Sequence, residues 1–117
     1  MGYIKHNAII VTSFDEDAIR KALGKACEIF DRPISSLIGG ERNSYRSFLI
    51  PPDGSKEGWD CSDRNDGLRR EYLNWLSQQR FDDGSTILDW VEVKYGDERG
   101  TAEIVAGSEE HLWGNNT

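Results

Sequence analysis

Residues 87–107, "ILDWVEVKYGDERGTAEIVAG", decide the fold. From Ile87 to Gly96 two sets alternate: Asp89, Val91, Val93 and Tyr95 against Trp90, Glu92 and Lys94. A period of two is the mark of a strand with two unlike faces. The "DERG" turn then leads into Thr101–Gly107, a second β-branched run. Two such runs joined by a short turn predict an antiparallel hairpin.

Upstream, "NAIIVTS" (Asn7–Ser13) is an apolar, β-branched run that reads as a strand buried on both faces. Ser13 with Glu16 fits a capping box, and Asp15, Glu16 and Asp17 suit a helix N-terminus. Ala18, Ile19, Ala22, Leu23, Ala26, Ile29 and Phe30 then recur at helical spacing up to Pro33, although Gly24 weakens that helix by about 1 kcal/mol. Ser36–Ile38 reads as a short strand, "GGERNS" as a turn, and Tyr45–Ile50 as a further strand ended by Pro51 and Pro52. Asp63 and Asp66 read as the cap and first turn of a second helix, with Leu68, Tyr72, Trp75, Leu76 and Gln79 on its inner face and Arg69 and Arg70 pointing elsewhere.

The order β-α-(β)-β-α-β-β predicts an α+β two-layer sandwich, with two helices on a mostly antiparallel sheet of four to five strands. The first strand, first helix and next strand are read as a right-handed crossover unit. At 117 residues a single body over 1–107 is expected, with 108–117 as a fraying C-terminal tail.

Composition narrows the function. The chain is 30% charged and 10% aromatic, too aromatic for a disordered segment. No run reaches the length a membrane span needs, and the N-terminus lacks a signal-peptide pattern. Cys27 and Cys61 form no disulfide framework, so a reducing cytoplasm is the simplest setting. Net charge is −7, and residues 1–80 balance twelve acids against twelve bases. The excess therefore lies in residues 81–117, which argues against direct nucleic-acid binding there. His6 and His111 lie at opposite ends and no Cys or His pair has ligand spacing, so no metal and no cofactor is expected.

The segment from Ile50 to Asp63, "IPPDGSKEGWDCSD", raises the functional question. It joins a strand to a helix and holds prolines, glycines, hydroxyls, a lysine and an indole. A loop of this length in a small body is often functional when ordered. Tyr45, Arg46, Ser55, Lys56 and Trp59, with Trp90 on a neighbouring strand, are the candidate ligand-binding residues. A ring beside cations can stack a flat ligand and neutralise its anion. The plainer reading packs Trp59 back on the second helix.

Two other chemistries are open. Cys61 with His6 or clustered acids would make a small hydrolase. Glu92, Asp97, Glu98 and Glu103, with Asp82, Asp83 and Asp89, would make an acidic surface that mimics nucleic acid. The terminal hairpin leaves a strand edge through which a homodimer can form.

Three stretches, "GYIKHNAIIVTSFDEDAI", "YRSFLIPPDGSKEGW" and "LDWVEVKYGD", resemble a family of small proteins encoded by bacteriophages and prophages. The resemblance covers most of the chain and is strongest at "SFLIPPDGSKEGW". It implies a viral protein made in a bacterial cytoplasm, and it transfers no residue role. The expected function is a binding protein that captures a host protein or a small anionic ligand, in host modulation or counter-defence.

Overall fold

The computed structural model describes residues 4, 6–56, 58–96 and 100–108. The elements are β1 (His6–Ser13), α1 (Glu16–Ile29), β2 (Ile38–Gly39), β3 (Arg46–Ile50), α2 (Asp60–Ser77), β4 (Asp89–Tyr95) and β5 (Ala102–Gly107). They form a five-stranded sheet in the order β2-β3-β1-β4-β5, antiparallel throughout. Both helices lie on one face, giving the expected α+β two-layer arrangement.

The strand after α1 is β2, which is antiparallel to β3 as β3 is to β1, so β2 runs parallel to β1 and β1-α1-β2 is a crossover connection with β3 lying between its two strands. The hairpin of β4 and β5 is present, with a register shift at Glu92/Val93 that leaves Val105 as an extra residue on β5.

The core lies between helices and sheet. Ile9, Val11, Phe48, Ile50 and Trp90 project from the sheet toward Ile19, Ala22, Ala26, Tyr72 and Leu76. Strand alternation puts Ile10, Leu49, Val91, Val93 and Ile104 on the opposite face. Among the described residues no element packs over Ile10, Leu49 and Ile104 on that face, which are 40%, 39% and 56% exposed, while Ala8 beside Val93 is buried. The reading of Asn7–Ser13 as buried on both sides is therefore corrected. Its continuous apolar run reflects an apolar open face, not a second layer.

Helix starts differ from expectation. Asp15, not Ser13, caps α1, its Oδ1 accepting from the Ala18 N–H at 2.9 Å. Ser13 is buried and donates instead to the Ile87 carbonyl at 2.8 Å. The long-range partner won the hydroxyl. Helix α2 begins at Asp60, earlier than Asp63, with Trp59 in the cap position and no side-chain cap. Ser108, assigned to the tail, belongs to the body. Its amide donates to the Trp90 carbonyl at 2.9 Å, and its hydroxyl accepts from the Trp90 amide at 3.2 Å. Residues 109–117 lie outside the described residues.

Tyr72 ties the two helices together. Its ring is fully buried edge-on to Phe30, and its hydroxyl donates to the Ala22 carbonyl at 2.7 Å. Burial, and secondarily the nearby Cys27 thiol, push its ionisation well above the ordinary tyrosine range. A raised pKa stabilises the fold below the unfolded value near pH 10, and the gain is lost as pH climbs beyond it. Tyr72→Phe is expected to cost about 1 kcal/mol at neutral pH. It should also soften the loss of stability above about pH 10. Urea titrations of both proteins at neutral and alkaline pH check this; parallel curves would refute the tyrosine's part.

Candidate functional site

The proline-flanked loop is held by side chains, not left slack. Gly54 and Gly58 take φ of 79° and 92°, a left-handed region that disfavours side chains. Arg32, just past α1, donates to the Pro51 carbonyl through Nε at 3.1 Å and Nη2 at 3.0 Å. Its Nη1 donates to Asn65 Oδ1. Asn65, one turn into α2, passes the link on: Nδ2 donates to Asp53 Oδ2 at 2.9 Å and to the Cys61 carbonyl at 2.8 Å. Ser55 donates to the same Asp53 oxygen at 2.6 Å and is itself buried. Burial lowers the Arg32 pKa, while Asp53 opposes that shift.

A second polar group lies one turn along α2. Arg69 Nε donates to Glu92 Oε2 at 3.0 Å, and both side chains are buried. Asn7 Nδ2 donates to the same oxygen at 3.0 Å, and Arg69 Nη2 also pairs with Asp66. Asn65 and Arg69 occupy the helix face that continues through Tyr72 and Leu76. Four-residue spacing brings both onto the sheet side.

Among the cavities beside these groups, two border the loop. The smaller, about 120 Å³, is walled by Asn7, Asp53, Ser55, Asp66, Arg69 and Lys94. The larger, about 350 Å³, lies between the loop, Arg32 and the first turns of α2. Trp59, Arg32, Arg64, Asp31, Asp53 and Cys61 wall it. The Trp59 indole is 52% exposed there, so it does not pack back on α2 as the plainer reading had it. Lys56 Nζ stands 5.9 Å from the indole ring centre. Arg64 pairs with Asp31 at 2.7 Å, and that hydrogen bond holds the Asp31 carboxyl below the usual range.

The ligand candidates do not all meet. Ser55, Lys56 and Trp59 share the loop. Tyr45 and Arg46 lie at the other end of β3, where Arg46 pairs with Ser13 in register and reaches Glu16 at 3.8 Å. Tyr45 packs edge-on to Phe14. Trp90 is a core residue whose edge lines a separate groove with Arg70, Leu73 and Arg80. The length of β3 and the thickness of the core keep these three groups apart.

The acidic candidates also divide. Glu92 is not surface but one half of the buried pair with Arg69. Glu103 is exposed opposite Lys94, 4.0 Å away. Asp97 and Glu98 lie outside the described residues. Asp83 caps its own turn, accepting from the Ser85 hydroxyl at 2.6 Å and amide at 2.9 Å, which lowers its pKa. Asp89 sits on the open sheet face by alternation. Among the described residues, Glu92, Glu103, Asp83 and Asp89 do not share one exposed row.

Cys61 is exposed, and among the described residues no hydrogen bond reaches its sulfur. The cavity wall around it holds no histidine. His6 stacks on Tyr95, ring centres 5.3 Å apart, on the hairpin side of the sheet. The acids that share its cavity, Asp31 and Asp53, are engaged by Arg64 and by Ser55 and Asn65. Among the described residues no group of three or more His, Cys, Asp or Glu is placed to hold a metal ion, and no helix is long and apolar enough to cross a membrane.

Sequence reading missed Arg32, Asn65, Arg69 and Asn7. A signal existed for two of them: Asn65 and Arg69 fall on the helical stripe that contains Tyr72 and Leu76. No protein-family model, curated protein or solved structure matches the chain. The class defined by fold and site is a small α+β protein with a braced loop beside a polar cleft.

Proposed function

We propose that this chain is a small ligand-capturing protein, and that the cleft between Trp59, Arg32 and Arg64 takes a flat ring bearing an anionic group. The half-exposed indole on a braced loop carries this reading. An exposed aromatic side chain is costly to leave in water, and here the surrounding hydrogen bonds fix it in place. Arg32 and Arg64 face Asp31 and Asp53 across the cleft, and Lys56 at the rim adds a third cation. The ring would stack on Trp59, while Arg64 or Lys56 exchanges its present partner for the anion. The resemblance to phage-encoded proteins supports a place of action inside an infected bacterial cell, in host modulation or counter-defence.

Isothermal titration with nucleoside 5′-monophosphates, aromatic carboxylates and inorganic phosphate tests the reading. Stacking on one ring contributes about 1–3 kcal/mol, so Trp59→Ala is expected to weaken a ring-bearing anion about 5- to 150-fold. Inorganic phosphate should bind wild type and Trp59→Ala equally weakly. Added salt should weaken the ring-bearing anion in wild type more than in Lys56→Ala. Equal affinity of every probe for wild type and Trp59→Ala would remove the cleft from the function.

A further inference from the structure

We infer that the sheet face turned away from the helices is a homodimer interface, on which a second copy of this chain packs sheet against sheet. Its basis is independent of the cleft, which lies on the helix side.

The register fixes what the face presents. Ile10 is paired with Leu49 on one side and Val91 on the other, and Val93 with Ile104. Ile38 joins from β2 through its pairing with Ser47. Exposures are 64% for Ile38, 56% for Ile104, 40% for Ile10 and 39% for Leu49. At the Ser13 end, Phe14 extends this surface, with its ring 6.0 Å from Tyr45 and 6.4 Å from Phe81. Large exposed apolar side chains are thus gathered on one side of the molecule. Contiguous patches of this kind mark interaction surfaces.

Charge selects the occupant. In a chain that is 30% charged, strand alternation places one formal charge among the paired face positions, Asp89, at the end of β4. A face whose one charge sits at the end of β4 has little with which to steer or select a charged foreign partner. It is compatible with itself, and the burial of two apolar faces on each other is the character of homodimer interfaces. Size also fits. Five strands at about 4.8 Å spacing and about 20 Å of strand length give a face on the order of 500 Å². Side-chain relief and the Phe14 rim bring this toward the roughly 800 Å² per partner of a standard interface. Two such sheets stack about 10 Å apart, with helices on both outer sides.

Sedimentation velocity of the full chain across micromolar concentrations tests the inference. The expected species has twice the 13.3 kDa chain mass. Its association should hold or strengthen as salt rises, because two bodies of net charge −7 repel through their other surfaces. Ile10→Lys places charge at the centre of the face and is expected to weaken association at least 100-fold. Ile104→Glu, on an edge strand, should weaken it at least 10-fold if Ile10→Lys proves unfolded by circular dichroism. Lys21→Glu on α1 should leave the dimer intact. A wild-type monomer at 100 micromolar overturns the inference, as does a dimer indifferent to both face variants. A wild-type monomer that dimerises once cut after Ser108 would assign the face to residues 109–117 instead and also overturns it.

Discussion

Arg69→Ala is expected to destabilise the fold by about 3–5 kcal/mol, because it strands Glu92 in the interior. Glu92 has two donors, Arg69 Nε and Asn7 Nδ2, both on the same oxygen. With the guanidinium gone, one amide must hold a carboxylate that is 6% exposed. Only a few kilocalories separate most small folds from unfolding, so the loss is a large share of the total. For a chain of this size the thermal midpoint should fall by about 10–20 °C. The double variant Arg69→Met/Glu92→Leu removes both charges and keeps volume between α2 and β4. It is expected to recover most or all of the loss, since apolar replacement of a whole buried pair is often neutral. Thermal melts followed by circular dichroism on the two variants and wild type make the comparison. A single variant within 1 kcal/mol of wild type would mean that water already solvates Glu92. A double variant as damaged as the single would mean that packing, not charge, matters there.

The pair also shows why part of the structure was legible in the sequence and part was not. Alternation in Asp89–Tyr95 and helical spacing in Ala18–Phe30 are local patterns, and both elements formed where those patterns lie. The layer arrangement follows from them. Arg69, by contrast, was assigned to the outside because charged side chains are rarely buried alone. It is not alone, but its partner is 23 residues away on another element. Glu92 carried the matching clue: an acid between Trp90 and Lys94 on the inward side of the strongest strand. Ser13 failed in the same way. As a cap it was locally plausible, yet its hydroxyl is spent on Ile87, 74 residues along the chain. The open face was misread for a different reason. A continuous apolar run fits burial on both sides equally well as burial on one side with a second apolar surface left open. The candidate loop was found from its composition, whereas Arg32 and Asn65, which hold it, looked like ordinary polar residues of a helix end and a helix start.

Arg32→Ala tests the loop brace, with an expected local cost of about 2–3 kcal/mol from the loss of charged hydrogen bonds. The guanidinium reaches the Pro51 carbonyl twice and Asn65 once. Without it, the Asn65–Asp53–Ser55 chain has no tie to the end of α1. The global fold should lose less than the loop does, because the apolar core of Ile9, Phe48 and Tyr72 is untouched. The readout is trypsin cleavage after Lys56, which follows the population of locally open loop when opening is fast. The rate is expected to rise about 30- to 150-fold, the equivalent of 2–3 kcal/mol. Arg32→Lys should fall between, since an ammonium cannot span both acceptors as a planar fork does. The same variant separates preorganisation from contact in ligand capture. If Trp59 recognises a ring because the loop holds it still, Arg32→Ala weakens that ring-bearing anion even though the indole remains. Unchanged cleavage at Lys56 in Arg32→Ala would show that the prolines and left-handed glycines alone shape the loop, and the brace would lose its role in recognition.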